Sequence, residues 1–150
     1  MDSSAERILY RQAALIFEEL GFLMPQSEQG IVPQRAKTSV YISFTGPFSG
    51  CLLVTLNAEA LAALSSNMLG LENEPDETLQ EDALGEIANV ICGNILPDAF
   101  GLNEVFRLAP PHALAEKDSA RFESCFSRIA QISIPFSCGQ TDIVLYADKE

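Results

Sequence analysis

The sequence predicts a single α+β domain in which a mainly antiparallel β-sheet packs against long helices, arranged as two pseudo-symmetric helix-plus-hairpin halves. Several features of the sequence predict this class. Apolar residues recur at helical spacing in separate stretches, and alternating segments are joined in pairs by glycine-containing turns. The length of 150 residues suits one hydrophobic core. The two hairpin segments resemble each other, although shared hairpin preferences explain that likeness equally well.

The N-terminal region is predicted to be a helix followed by a loop. Apolar residues keep helical spacing from Glu6 to Leu20, and the pattern stops at Gly21. The polar segment 26–37 predicts a loop. We therefore divide the domain into an N-terminal helix and loop (1–37) and a core (38–147).

The core is predicted to begin with a hairpin. Residues alternate between apolar and polar from Thr38 to Phe44, and a second strand returns from Cys51 to Leu56. A helix follows from Ala58 to Leu69, with Asn57 as its N-cap and Gly70 at its end.

The second half of the chain contains the longest predicted helix and three further strands. The helix runs from about Thr78 to Leu96, where Pro97 and Gly101 are expected to end it. Strands are predicted over 104–108, 122–136 and 141–147, and the last two form a hairpin at Cys138-Gly139-Gln140.

The charge balance excludes several classes of partner. Nine basic residues against 21 acidic ones give a net charge of −12. Nucleic acids and anionic lipids are bound through Lys and Arg, and small phosphorylated metabolites need a basic clamp. A protein partner that brings its own cations suits this surface better. The acidic N-terminus has no apolar signal core, so we expect the protein in the cytoplasm and not in a membrane.

The cysteines and the single histidine give no sign of a metal or nucleophilic site. Cys51, Cys92, Cys125 and Cys138 form no C-x-x-C pair and have no histidine beside them, which predicts small buried apolar side chains and no metal ligands. His112 follows two prolines in a predicted loop without a nucleophile motif, so it is predicted to be a surface histidine.

One face of the long helix carries a row of polar residues, opposite a core-facing stripe formed by Leu84, Ile87, Ala88, Ile91 and Ile95. Asp82, Glu86, Asn89 and Gly93 follow one another at spacings of four, three and four residues, so they share one solvent-facing row. The Asn89 amide can donate and accept, and can therefore orient a water. The Glu86 carboxylate can pair with a cation, and Gly93 lets another surface approach closely.

The same residues also have plain structural explanations. A Glu and an Asn three positions apart on a polar helix face often contact only water. Gly93 costs about 1 kcal/mol relative to Ala within a helix, and a close helix–sheet or helix–helix contact could explain it. The spacing alone leaves both interpretations open.

The wider pattern Asp82-x-x-x-Glu86-x-x-Asn89, with Gly85 before it, Gly93-Asn94 after it and Pro110 or Pro111 further along, resembles the signature of the CheC/CheX family of chemotaxis phosphatases. The resemblance extends from Thr38 to Tyr146. CheC-like members carry two Glu-x-x-Asn helices, whereas the first helix here has no such pair. The single motif therefore resembles CheX.

The resemblance implies that the substrate is the phosphoaspartate of a CheY-like receiver domain. Asn89 would orient the attacking water, and Glu86 would form a salt bridge with the receiver's lysine. The remaining signature residues would contact the partner: Asp82, Gly85, Gly93 and Asn94. Asp82 could equally serve the helix dipole. The chain would need no cofactor of its own, since the Mg²⁺ would belong to the receiver, and it would form a homodimer through its sheets.

Two alternatives belong to other classes of protein. A non-catalytic adaptor would bind phosphorylated receiver domains through the same helix without needing Asn89 for turnover. A structural module like the flagellar switch proteins would need no Glu-x-x-Asn pair, so the intact pair here argues against it.

Overall fold

The computed structural model describes residues 3–26, 37–70, 76–101 and 105–148. The predicted α+β class is confirmed, since these ranges contain four helices and a six-stranded antiparallel sheet. The helices are α1 (Ser3–Gly21), α2 (Ala58–Leu69), α3 (Glu77–Phe100) and α4 (Glu116–Cys125). The strands are β1 (Lys37–Thr45), β2 (Gly50–Asn57), β3 (Arg107–Leu108), β4 (His112–Ala113), β5 (Phe126–Phe136) and β6 (Gly139–Asp148). No helix in these ranges is long and apolar enough to cross a membrane.

The sheet joins the two predicted hairpins side by side. Its order is β3-β1-β2-β6-β5, and β4 also pairs with β1. The first hairpin is β1–β2 and the second is β5–β6, and they meet where Val54 on β2 faces Ile143 on β6. Each half of the chain thus supplies one hairpin and at least one long helix.

The main core lies between the sheet and helices α1, α2 and α3. Helix α3 contacts both other helices as well as β1 and β2, so it is held from several sides. The predicted apolar stripe is confirmed, because each of its five members is 0 to 1% exposed. A smaller cluster lies apart from this core and consists of Cys51, Phe122, Val144 and Tyr146.

Helix α3 continues through Pro97, so the prediction that this residue ends the helix was wrong. The proline nitrogen has no hydrogen and deprives only one carbonyl, that of Gly93 four residues earlier, of its usual donor. Packing beyond the proline holds the last turn, where the Phe100 ring lies 4.7 Å from that of Phe48. The helix ends at Gly101 as expected, and its N-cap is Asp76, whose side chain accepts from the Leu79 N–H at 2.9 Å.

The prediction of a strand over 122–136 was wrong for its first four residues, which belong to α4. Asp118 fixes the start of this helix by accepting from the Ala115 N–H at 3.0 Å. Phe122 is only 2% exposed within the smaller cluster, which explains the apolar signal misread as a strand. The strand predicted over 104–108 is reduced to the two residues of β3, and Glu104 lies outside the described residues, as do most of the loop 26–37 and positions 72–75.

Asn57 precedes α2 as predicted but does not cap it through its side chain. The side chain instead holds the second hairpin, because its Nδ2 donates to the Cys138 carbonyl at 3.2 Å and its Oδ1 accepts from the Gln140 N–H at 3.0 Å. Gly139 has a φ of +150°, and a Cβ there would lie 1.9 Å from the Asn57 Oδ1. The close approach therefore requires glycine at this hairpin.

Helix α1 includes Gly21, the residue at which the helical pattern was predicted to stop. Gly21 is still helical, and a Cβ there would lie 2.3 Å from a methyl carbon of Leu64, so this glycine permits close packing of α1 against α2. The left-handed residue is Phe22, with a φ of 54°. Phe22 is 66% exposed, so little packing compensates for the strained backbone.

Replacing Phe22 with Gly is expected to stabilise the fold by about 1 kcal/mol, because Gly adopts a positive φ without steric cost. Denaturant titration measures the change in the free energy of unfolding. The matched control is Leu20→Gly, which puts glycine inside the last helical turn and should destabilise by a similar amount. Destabilisation by both substitutions would contradict the expectation.

The outer edge of β5 is engaged by the chain itself at two points. The Glu6 carboxylate on α1 accepts from the Gln131 N–H at 3.1 Å. The Gln26 N–H, just after α1, donates to the Pro135 carbonyl at 2.8 Å. The C-terminal half of this edge strand is therefore partly covered.

The prediction that the cysteines are buried is confirmed for Cys51 and Cys92. It was wrong for Cys125, which is exposed, and Cys138 is half-buried. Burial raises the pKa of the Cys51 thiol and of the Cys92 thiol to about 12 from the ordinary value of 9.0. Neither thiol is a nucleophile at neutral pH.

Alkaline pH is expected to destabilise the fold through these two thiols. Above about pH 9 the unfolded chain loses thiol protons that the folded chain retains, so the free energy of unfolding is unaffected below that pH and falls as the pH rises towards 12. Denaturant titrations at about pH 8 and about pH 10.5 measure the fall. The double variant Cys51→Ala/Cys92→Ala should fall less, and an equal fall would contradict the assignment.

Candidate functional site

Helix α3 presents the predicted polar row on its outer face. Asp82, Glu86, Asn89 and Gly93 are exposed, while the intervening apolar residues are buried against the rest of the molecule. Glu86 and Asn89 lie about 4.5 Å apart along the helix axis at a rise of roughly 1.5 Å per residue. The row therefore projects from a rigid element, which suits groups that must be positioned accurately.

The two central side chains of this row are available for an external partner. Across the described ranges, the side chain of neither Glu86 nor Asn89 forms a hydrogen bond or an ion pair. Asn94 differs, because its Nδ2 donates to the Val90 carbonyl of its own helix at 2.7 Å. The structure thus separates two exposed asparagines on α3: one is unengaged and the other is tied to its helix.

Gly85 is the buried member of the signature and explains the proline further along. A Cβ at Gly85 would lie 3.0 Å from the Cβ of Pro111, so the missing side chain lets this proline pack against α3. Of the two prolines that matched the signature, Pro111 is the one at this contact. The contact brings β4, which follows at once, alongside the N-terminal half of α3.

A pocket of about 350 Å³ lies between this half of α3 and β4. Its lining combines three carboxylates with the β4 segment: Val40, Glu81, Asp82, Gly85, Glu86, Pro111, His112 and Ala113. Asp82 and Glu86 therefore share one acidic depression. The ion pairs found in the described ranges engage other carboxylates, those of Asp98, Asp142, Asp118 and Glu123. The depression keeps its negative charge for a cationic partner group.

His112 is exposed, as predicted, but it lies on β4 and not in a loop. It faces Tyr41 across the β1–β4 pair, and the two ring centroids are 5.6 Å apart. This tilted ring contact holds the imidazole on the surface of the sheet.

Gly93 has no packing role in the described parts of the molecule. A Cβ built at this exposed position would meet nothing within 4 Å. Among the described residues, Gly93 therefore makes none of the close helix–sheet or helix–helix contacts considered from the sequence, and the helix stability it gives up is not offset by packing there. A gain on contact with another molecule would explain a glycine at this position.

The described residues include no group of three or more His, Cys, Asp or Glu side chains placed to hold a metal ion.

Sequence reasoning missed the third acidic residue, Glu81, and the β4 wall of the pocket. The run of acidic residues before Glu86 was the signal that could have pointed to Glu81. The β4 wall depends on a two-residue strand that no local pattern indicates.

An antiparallel sheet backed by long helices, one of which exposes a Glu-x-x-Asn pair, defines the class of chemotaxis domain to which CheC and CheX belong. Comparison with protein families gives the particular assignment: the model of the chemotaxis phosphatase CheX matches residues 38–137, and the chain belongs to this family. The resemblance noted from the sequence is confirmed. No curated protein sequence matches the chain.

Solved structures share the fold at low sequence identity. CheX from Desulfovibrio desulfuricans superposes with a TM-score of 0.72 at 18% identity, covering 97% of this chain and 99% of that one. CheX from Borrelia burgdorferi, solved as a CheX-CheY-BeF3-Mg complex, gives 0.70 at 15% identity, covering 95% and 97%. CheX from Vibrio vulnificus gives 0.68 at 17% identity and covers 97% of both chains.

Proposed function

We propose that this protein is a phosphatase that hydrolyses the phosphoaspartate of a CheY-like receiver domain and so ends a chemotaxis or related two-component signal. Membership of the CheX family supports the class of reaction. The observation that carries the proposal is that Glu86 and Asn89 stand exposed and unengaged, one turn apart on a helix whose other side is buried. This exposed and unengaged arrangement supports a role in acting on another molecule.

Asn89 is the catalytic residue in this proposal. Its side-chain carbonyl accepts a hydrogen bond from a water while its amide donates to an oxygen of the bound complex, which aligns the water with the phosphorus. The water oxygen forms the new bond to phosphorus, and the bond between phosphorus and the aspartyl oxygen breaks. The products are inorganic phosphate and a free carboxylate. Phosphoryl transfer has a loose transition state, so orientation and electrostatics supply most of the acceleration and no strong base is needed.

Glu86 positions the partner. Its carboxylate lies in the acidic depression and would pair with the lysine that a receiver domain carries beside its phosphoaspartate. That ion pair fixes the distance between the receiver and Asn89, one turn further along. Asp82 lines the same depression and adds to its negative potential.

The charge of the protein fits this division of labour. With 21 acidic and nine basic residues, the chain has little to offer a phosphoryl group by direct attraction. The receiver would supply the Mg²⁺ that neutralises the phosphoryl oxygens, and this protein would supply the positioned amide. A partner with a cationic surface around its phosphorylation site suits the acidic face of α3.

The test is phosphate release from a Mg²⁺-loaded, phosphorylated CheY-type receiver, measured with and without this protein. We expect clear acceleration that saturates with receiver concentration. The protein should also bind a receiver held in its active form by beryllofluoride. Binding without acceleration for every receiver of the organism would reject the phosphatase and leave the adaptor. Neither binding nor acceleration would reject both.

A further inference from the structure

The polar row on α3, from Asp82 to Gly93, has different surroundings at its two ends. Its N-terminal end opens into the acidic depression at Asp82 and Glu86. Its C-terminal end, at Gly93, opens into a groove of about 250 Å³ that is largely apolar: it is lined by Gly93, Leu96, Pro97, Val105, Phe106 and Leu108. Asn89 lies between them, one turn from each of Glu86 and Gly93.

We propose that this groove is a second anchor of the docking surface and takes an apolar side chain of the receiver domain whose phosphoaspartate lies at Asn89. The proposal rests on the proposed function. It adds a specificity element that the Glu-x-x-Asn pair does not contain.

Continuity of the surface identifies the occupant. The groove begins at Gly93, about 6 Å along the helix from Asn89 at a rise of roughly 1.5 Å per residue. A folded partner of ordinary interface size covers about 800 Å² on each side, so a partner centred on Asn89 would also cover the groove. The receiver domain centred on Asn89 in the proposed function is therefore the occupant that this apolar surface fits.

The exposure of Val105 supports an intermolecular role. This side chain is 76% exposed at the lining of the groove, the largest value among the exposed large apolar residues of the described ranges. Its neighbour Leu96 is only 1% exposed and forms a fixed floor. An apolar side chain placed against Val105 and over this floor would remove the exposed Val105 surface from water.

Gly93 and Pro97 together leave room for the partner at the entrance to the groove and a backbone carbonyl that can bind it. Gly93 has no side chain, and a Cβ there would stand in open space where the partner must pass. Pro97 cannot donate to the Gly93 carbonyl, so this acceptor lacks its intrahelical partner and can take a hydrogen bond from the partner backbone. One position thus provides both clearance and an acceptor.

The two ends also fix the orientation of the partner. A cation is accepted at Glu86 and an apolar group beyond Gly93, about 10 Å apart at roughly 1.5 Å per residue. A receiver that docked in the reverse direction would place its cation over the groove and its apolar side chain in the acidic depression. The difference between the two ends therefore disfavours the reverse docking orientation, as charge patterns do at other interfaces.

The first test is Val105→Asp, assayed for KM in receiver dephosphorylation and for Kd against the receiver activated with beryllofluoride and Mg²⁺. A carboxylate at the groove should raise both constants at least tenfold. The matched control is Met24→Asp, which changes the net charge equally at a 56% exposed apolar residue that does not line the groove. The control should keep wild-type constants.

The second test is Gly93→Ala, which should change stability and binding in opposite directions. The new methyl group meets no atom of the described chain, so the melting temperature should rise by about 2 to 4 °C. The Kd for the activated receiver should rise several-fold, because the partner loses its clearance.

The outcomes separate this inference from the proposed function. If the wild-type protein is active and Val105→Asp has the same KM and Kd as Met24→Asp, the groove is not an anchor, and the phosphatase proposal stands. Wild-type protein that neither binds nor dephosphorylates a receiver would overturn both. A lower melting temperature for Gly93→Ala would overturn the assignment of Gly93 to an intermolecular contact.

Discussion

Asn89→Ala is expected to lower the turnover of a phosphorylated receiver domain by about 10²- to 10³-fold, which is the usual cost of losing one well-aimed positioning group. The substitution removes both hydrogen-bonding functions of the side chain at once. The fold should survive, because Asn89 is exposed, has no partner within the described chain and lies in a helix that Ala favours. Single-turnover phosphate release measures the effect on the chemical step.

The matched comparison for this prediction is Asn94→Ala. Both asparagines are exposed on α3, but the Asn94 amide is bonded to the Val90 carbonyl, so its loss should affect KM at most and by less than about tenfold. Binding of the beryllofluoride-activated receiver should be nearly unchanged in Asn89→Ala. Equal turnover by wild type and Asn89→Ala would refute the catalytic role of the amide.

Glu86→Lys is expected to reduce kcat/KM by about 10²-fold or more, because a second cation would face the receiver's lysine across the interface. Glu86→Gln should have a milder effect of about tenfold, since it removes the charge while keeping a hydrogen-bonding group of similar size. The graded loss distinguishes an ion pair from a simple steric contact. Initial rates over a range of receiver concentrations give both constants.

Ionic strength provides the control for the charge interaction. Added salt should weaken the wild type and should affect Glu86→Gln less, because screening acts on the charge that the variant lacks. Glu77→Gln removes an equal charge from the opposite side of the same helix, about 180° away at roughly 100° per residue, and should retain wild-type kcat/KM. A loss in Glu77→Gln equal to that in Glu86→Gln would show that only overall charge matters.

Much of the fold could be predicted from the sequence because its periodic signals are strong. The alternation in β1 and the apolar stripe of α3 both correspond to elements that are buried on one face. The errors fall where tertiary packing overrides local signals. Pro97 stays helical because the turn beyond it is packed, and Phe122 enters the smaller apolar cluster from a helix. Asn57 binds a hairpin that is distant in sequence, which no cap pattern could indicate.

The candidate site could be predicted only along a single helix. The row from Asp82 to Gly93 follows from the spacing, since residues on one helix have fixed relative positions. The walls on either side come from β4 and from the segment 105–108, and their placement depends on the whole sheet. The open space beside Gly93 in the described part of the chain is likewise a property of the assembled structure.

The covered edge of β5 limits how two copies of this chain can combine. Strand addition over its C-terminal half would have to displace the Glu6 carboxylate from the Gln131 N–H and the Gln26 N–H from the Pro135 carbonyl, and the proline itself offers no donor. Two copies that shared a continuous sheet would instead meet along the first residues of β5, before its irregularity at Arg128, or along the opposite edge beside β3 and β4. The second choice would place the two acidic depressions near the joint, so the dimer edge would decide whether two receivers can bind at once.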